Sequence, residues 1–229
     1  MIENNLYEER TGKYIIIKDN ILSCIDYLNF ILTKIGALFN SPRLCSLSWG
    51  LAIKRHNFST KIKKKNILIL YRSLGIEDFN YFTENDKKKL SMFVLPRSQI
   101  KAIFEIYFGT RKDHTLRDDS YVTNDEKIEL TKKKYRIFLE KTLNYLNLKY
   151  NFTTIIGFNF QFYAERELHT AAQNKNIKFI CLHKESLIFP GELIAYKKML
   201  KKLGKYTGEK ILVYNEYIRK AIVSSKFIK

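Results

Sequence analysis

The run from Asn66 to Tyr71 reads NILILY, and it decides the class of fold that the sequence specifies. A short, continuous apolar run of this kind is typical of a strand that is buried on both faces of a parallel sheet. SMFVL at 91–95 is a second such run, and three further strands are predicted at TTIIG 153–157, KFICL 178–182 and KILVY 210–214. Segments with helical spacing follow each of these four runs. The alternation predicts an α/β fold with a mostly parallel sheet flanked by helices.

The helical segments have recognisable starts and stops. The spacing predicts helices at about 97–108, 163–175, 191–203 and 215–224. A fifth, longer helix runs to about Lys149, and we expect Asn124 to be its N-cap. The polar stretch 110–123 before it is the longest exposed loop of the predicted fold.

The segment from Ile21 to Phe39 is long enough to cross a bilayer, but Asp26, Asn29 and Lys34 interrupt it. A buried amphipathic helix fits this segment better, because its apolar residues recur at spacings of three and four. The predicted apolar stripe, which would face the core or an interface, consists of Leu22, Ile25, Leu28, Leu32, Ile35 and Phe39. A membrane-surface helix is the main alternative.

Composition excludes several classes of protein. The chain has 229 residues with 45% hydrophobic content, which is too apolar for a disordered basic tail. Its three cysteines, Cys24, Cys45 and Cys181, are widely spaced and form no CxxC pair, which argues against a disulfide scaffold and against a structural zinc site. Walker-type and dinucleotide-type glycine loops, the GxSxG elbow and HExxH are all missing from the sequence, so the common nucleotide, hydrolase and zinc-protease signatures do not apply.

The formal net charge of +18 has two interpretations. Of the 41 basic residues 31 are lysines, which favours a compositional bias spread over solvated faces. The alternative is a functional field that acts on nucleic acid or on an anionic membrane, with some clustering at Lys61–Lys65, at Lys132–Lys134 and in the C-terminal stretch 191–229. The first ten residues carry acids and no apolar segment of a secretory signal, so we expect a cytoplasmic protein.

Polar residues follow each predicted strand, at the edge where parallel sheets bind ligands. The candidates are Arg72, Arg97, Asn159, Tyr163, Glu165, Arg166, His183, Lys184, Glu185, Asn215 and Glu216. Each has a structural alternative, since residues at strand-to-helix turns are often caps. Together they favour a site at one edge of the sheet.

The cluster His183-Lys184-Glu185 is the most informative of these groups. A carboxylate there would serve as a general base on a hydroxyl, and the cation beside it would tune its pKa or hold a phosphate. A histidine satisfied by packing is the alternative. The pair Asp118-Asp119 is better explained as a loop cap than as a metal site, and we predict no metal.

Several of these motifs together resemble a known family. They are LPRS at 95–98, LRDDSY at 116–121, GFNFQFYAERELHTAA at 157–172, LHKES at 182–186, PG at 190–191 and GEKILVYNEYIRK at 208–220. The set is similar to the amino-terminal half of glycosyltransferase-like proteins of bacterial surface carbohydrate synthesis, both capsular and lipopolysaccharide. These proteins have the GT-B fold of two Rossmann-like domains, and the similarity extends from about Asn66 to the C-terminus.

The resemblance implies a helical N-terminal extension at 1–60 and a Rossmann-like acceptor-side domain at 61–229, without the second domain of the fold. It implies that Glu185 is the catalytic base, with His183 and Lys184 beside it at the cleft. Asn159, Tyr163, Glu165 and Arg166 then shape the acceptor side, and Arg97 and Arg72 contact phosphate. Asn215 and Glu216 lie at the hinge towards the other domain.

The partners implied are a nucleotide-sugar as donor substrate, a glycan or lipid-linked acceptor, and a separate second half of the enzyme. No cofactor is implied, and peripheral contact with the inner membrane fits such a role. Two other functions stay open at this point. One is a basic nucleic-acid-binding module, and the other is a non-catalytic subunit at the membrane surface.

Overall fold

The structure is a computed structural model that describes residues 24–55, 65–71, 90–183 and 189–228. The strands are β1 Lys54–Arg55, β2 Lys65–Tyr71, β3 Leu90–Pro96, β4 Phe152–Gly157, β5 Lys178–His183 and β6 Lys210–Val213. The helices are α1 at 24–38, α2 Pro42–Ala52, α3 Ser98–Phe108, α4 Glu126–Tyr150, α5 Arg166–Asn174, α6 Leu193–Leu203 and α7 Glu216–Ser224. Short 3-10 turns precede α5 at Tyr163–Glu165 and α6 at Pro190–Glu192.

One sheet runs through the molecule in the order β1-β3-β2-β4-β5-β6. The five strands from β2 to β6 are all parallel, and the two-residue β1 pairs antiparallel with β3. The predicted Rossmann-like α/β class is therefore confirmed. Along the chain, β3 is added on one side of β2 and β4 on the other side, so the strand order reverses at β2. In doubly wound sheets a ligand-binding crevice opens at such a reversal.

The central apolar run became a strand that is covered on both faces, whereas the edge strand β6 has no buried residue and Leu212 in it is 47% exposed. Ile67, Leu68, Ile69 and Leu70 of β2 are all buried, and they alternate between two clusters. Leu68 and Leu70 belong to the large core that the helices cover, whereas Ile67 and Ile69 belong to a smaller cluster on the opposite face. A strand buried on both faces has no polar alternation, as the run NILILY predicts.

The predicted apolar stripe of α1 does not face the core of the described structure, and only Leu32 in it is half-buried. Ile25, Leu28, Ile35 and Phe39 are 44%, 58%, 37% and 75% exposed, while Leu22 lies outside the described residues. The buried side of the helix instead carries Asn29, Thr33, Gly36 and Ala37.

Small and hydrogen-bonding residues explain this orientation of α1. A Cβ at Gly36 would lie 2.7 Å from Cys45 Sγ, so only glycine permits the observed approach of α2. Thr33 donates a hydrogen bond to Gln99 Oε1 of α3, and Ser48 of α2 donates to the Asn29 carbonyl at 2.7 Å. These contacts satisfy the buried hydroxyl groups of Thr33 and Ser48 and the amide oxygen of Gln99. No helix in the described part of the chain is long and apolar enough to span a membrane.

The long helix α4 also begins one residue later than predicted. Asp125, and not Asn124, is its N-cap, and its carboxylate accepts hydrogen bonds from the backbone N–H groups of Lys127 and Ile128 at 2.8 and 3.2 Å. Both residue types are good caps, so composition alone does not separate them. Cys45 and Trp49 of α2 share the large core with α4 and the sheet. The predicted domain boundary at residue 60 stays a prediction.

Candidate functional site

The carboxyl ends of the five parallel strands lie at one edge of the sheet, where the sequence predicts a site. Eight of the eleven predicted site residues are described there or close by. Arg72, Lys184 and Glu185 lie outside the described residues, so their predicted roles stay predictions.

Arg97 and Glu165 come together at this edge. Arg97 follows β3 and Glu165 lies after β4, and these two strands flank β2. The Arg97 Nε–H donates a hydrogen bond to Glu165 Oε1, which makes an ion pair. The Glu165 side chain is almost fully buried, whereas that of Arg97 keeps 25% of its surface exposed. The guanidinium therefore lies between a buried carboxylate and the solvent.

An aromatic ring completes the environment of Arg97. The guanidinium carbon lies 3.3 Å from the centroid of the Phe162 ring, in a cation–π arrangement. The half-buried Tyr163 follows, with its ring edge-on to Phe104 at 5.0 Å between centroids. Phe162 and Tyr163 thus place two aromatic rings beside the charged groups.

The loop 110–123 reaches the same edge through Asp118. Its carboxylate accepts a hydrogen bond from the Tyr163 N–H at 3.1 Å and so caps the 3-10 turn. This confirms the interpretation of Asp118 as a loop cap. Partial burial raises the pKa of Asp118, while the Tyr163 N–H and the Arg97 charge oppose that rise. Within the described ranges no three His, Cys, Asp or Glu side chains form a group that could hold a metal ion.

The segments LRDDSY at 116–121 and YAERE at 163–167 contact each other at Asp118 and Tyr163, and they make a second contact between Tyr121 and Glu167. The Tyr121 hydroxyl donates to Glu167 Oε1 at 2.9 Å, and Arg136 lies 3.5 Å from the other oxygen. Burial raises the pKa of Glu167, although these partners favour the carboxylate. The two motifs therefore act as one structural unit that fixes the loop against α5.

A cavity of about 370 Å³ opens between the β3 and β4 ends. Its polar and aromatic lining comes from Arg97, Lys101, Asp118, Phe162, Tyr163 and Glu165. Two cations, two carboxylates and two rings around one cavity suit a ligand that carries hydroxyl groups or a phosphate. Lys101 was missed by the sequence analysis, although its place one turn after Arg97 on α3 is a signal that could have found it.

His183 lies at the end of β5 with its imidazole 1% exposed. The ring lies 4.3 Å from the Phe160 ring between centroids, and neither nitrogen has a hydrogen-bond partner in the described structure. Burial lowers the pKa of His183 to about 4. The imidazole is therefore neutral at physiological pH, and the packing alternative accounts for its surroundings.

Arg166 and Asn159 support the backbone around the cavity. The buried Arg166 guanidinium donates to the carbonyl groups of Leu203 and Lys205, at 2.8 and 3.0 Å, and so holds the end of α6. Asn159 Oδ1 accepts the Gln161 N–H at 2.8 Å and shapes the turn after β4. Both side chains thus contribute to the form of the site through the backbone.

Asn215 and Glu216 follow β6, at the far end of the sheet. Asn215 is the N-cap of α7 and accepts the Tyr217 N–H at 2.7 Å, while Glu216 forms a two-bond ion pair with Arg219. Four strand spacings separate β6 from β3, which is roughly 19 Å. These two residues therefore do not join the group around Arg97.

Comparison with known proteins identifies no relative, since no family model, no curated protein and no solved structure matches the chain. The Rossmann-like α/β fold and the geometry of the cavity are thus the observations on which a function must be argued.

Proposed function

We propose that the chain is the acceptor-side half of a GT-B-type glycosyltransferase of surface polysaccharide synthesis, and that the Arg97–Glu165 cavity binds the sugar acceptor. The observation that carries the proposal is the cavity itself, with an arginine stacked on Phe162 and paired with a buried carboxylate. Aromatic rings pack against the apolar faces of sugars, and ionised groups hydrogen-bond their hydroxyls.

The proposed reaction transfers a sugar from a nucleotide-sugar to an acceptor hydroxyl. The hydroxyl oxygen forms a bond to the anomeric carbon while the bond from that carbon to the nucleoside diphosphate breaks. A base takes the hydroxyl proton, and the sequence resemblance assigns this role to Glu185. A second half of the enzyme would hold the donor.

Ligand binding by the full chain tests the proposal. Saturation-transfer NMR with short oligosaccharides and sugar phosphates should detect binding, and F162A should weaken it about fivefold, since an aromatic contact contributes roughly 1 kcal/mol. The matched control is I194A, because Ile194 on α6 is 71% exposed and lies outside the cavity lining. K101Q should weaken sugar phosphates more than neutral sugars.

Two outcomes would contradict the proposal. The first is saccharide binding that F162A and I194A affect equally. The second is the absence of saccharide binding together with nucleic-acid binding that falls steeply with salt, which would favour the nucleic-acid alternative. The basic cluster Lys132–Lys134 gives this alternative less support, because Lys132 is buried and donates to the Tyr121 carbonyl at 2.6 Å.

The assigned base is tested in a complete enzyme that contains this chain and a donor-binding half. E185Q should abolish transfer while acceptor binding and thermal stability stay at the wild-type level. Transfer that survives in E185Q would remove Glu185 from the mechanism.

A further inference from the structure

Three helices on one side of the molecule expose large apolar side chains. Leu38 and Phe39 at the end of α1 are 67% and 75% exposed, and Leu47 and Leu51 of α2 are 60% and 67% exposed. Phe39 belongs to the predicted apolar stripe, yet it is exposed because α1 packs on α2 through Gly36. Contiguous apolar patches of this kind mark sites of association with a partner or a membrane.

Helix α4 extends this surface and adds cations to it. Lys134, Ile137, Lys141, Tyr145 and Leu148 are exposed and follow one another at spacings of three and four, so they form one stripe along the helix. We call the exposed apolar and basic side chains of α1, α2 and α4 the three-helix face.

Two cavities show where residues of α1 and α2 lie beside residues of α4. One, of about 540 Å³, joins Asn40 and Pro42 to Lys134 and Lys141 of α4. The other, of about 360 Å³, lies between Leu47 and Leu51 of α2, Leu32 of α1 and Lys149 of α4. The apolar residues of α1 and α2 therefore border the lysines of α4 at both ends of the face.

The three-helix face carries basic side chains around both cavities. Arg43 precedes Leu47 and Leu51 by one and two turns of α2, and Lys134, Lys141 and Lys149 lie along α4. The charged side chains that line the two cavities are Lys134, Lys141 and Lys149, and all three are basic. A second copy of the chain would place these cations against one another, which disfavours a dimer through this surface.

From this arrangement we propose that the three-helix face binds the surface of an anionic lipid bilayer. The leucines and Phe39 enter the boundary between headgroups and acyl chains, and the lysines contact lipid phosphates from their flexible stems. Anionic lipid satisfies both features at once, whereas an apolar protein surface would leave the cations unpaired. The inference does not depend on the saccharide function.

Co-sedimentation of the full chain with vesicles tests the proposal. Vesicles of phosphatidylcholine with roughly one third phosphatidylglycerol should bind the protein, and pure phosphatidylcholine should bind it much less. Raising the salt concentration should weaken the binding, because the lysine contacts are exposed. Failure of the wild-type chain to bind the anionic vesicles would overturn the proposal.

Matched double variants locate the surface. One lysine near an anionic membrane contributes roughly fivefold to binding, so K134Q/K141Q should weaken it by roughly 25-fold. The control K198Q/K201Q removes the same charge from exposed positions of α6 and should change binding little. Equal effects of the two pairs would mean that net charge alone binds the vesicle, and the three-helix face would lose its role.

A second pair tests the apolar part of the face. L47E/L51E should reduce vesicle binding more than tenfold, while I194E/V223E introduces the same charges at positions that are 71% and 63% exposed and should have a smaller effect. All four sites are solvent-exposed, so unchanged circular dichroism is expected. A dimer of the wild type that L47E/L51E dissociates would identify a second copy as the occupant and overturn the lipid proposal. Saccharide binding should be unaffected by either pair, which separates this test from that of the cavity.

Discussion

Acid should destabilise the protein through His183, and the size of the effect follows from its burial. Folding lowers the pKa of this imidazole from about 6.5 to about 4 because the ring leaves water for a site against Phe160. The unfolded chain therefore binds a proton more readily than the folded chain. The contribution of the neutral imidazole to the free energy of unfolding is fully present above pH 6.5 and is lost as the pH falls from 6.5 towards 4.

Each pKa unit corresponds to about 1.4 kcal/mol, so the whole shift corresponds to roughly 3 kcal/mol. About 2 kcal/mol of this should be lost between pH 7.5 and pH 5. The perturbation is H183L, which replaces the imidazole with an apolar side chain of similar size. Between pH 7.5 and pH 5, the free energy of unfolding should fall by about 2 kcal/mol less for H183L than for the wild type.

Urea unfolding at pH 7.5, 6.0 and 5.0 measures the difference. His114 and His169 are also buried, and burial lowers the pKa of both, so the wild type and H183L share their contribution. Only the difference between the two pH dependences reports on His183. Parallel curves would show that its imidazole takes up protons in the folded protein as readily as in the unfolded chain, which would refute the buried, neutral ring.

Three further changes should lower the free energy of unfolding, measured with urea at pH 7.5. D125A should cost about 1 kcal/mol through loss of the α4 N-cap, whereas N124A should cost much less, and equal costs would contradict the assignment of the cap. G157A should cost about 1–3 kcal/mol because its Cβ would lie 3.0 Å from Phe179 Cζ. Adding F179L to G157A should restore part of that loss, and no restoration would contradict a role for this contact. R166L should cost about 3 kcal/mol and speed amide exchange at the end of α6, and unchanged exchange there would count against its role in holding that end.

The sequence predicts the strands well because their signal is local. After their first residue, runs such as NILILY and KFICL are continuously apolar, and the structure places them within one or two residues of the predicted bounds. The class of the fold follows from the alternation of these runs with helices. This part of the structure depends on hydrophobic patterning alone.

The orientation of α1 could not be predicted in the same way. Its largest apolar stripe suggests the buried side, but the close approach at Gly36 and the bond from Thr33 to Gln99 decide the packing. Both depend on residues distant in sequence, Cys45 on α2 and Gln99 on α3. Hydrophobic periodicity measures which side of a helix is apolar, and it does not measure which side a neighbouring helix can reach.

The membership of the site shows the same limit. The sequence places Arg97, Glu165 and Asn215 at the ends of strands, and the parallel sheet brings all of these ends to one edge. Which of them meet depends on the order of the strands, and crossover connections set that order. Because β3 and β4 both lie beside β2, Arg97 reaches Glu165, whereas β6 holds Asn215 at the other end of the sheet. A function argued from strand ends therefore becomes specific only once the strand order is known, and here that order selects the Arg97–Glu165 cavity.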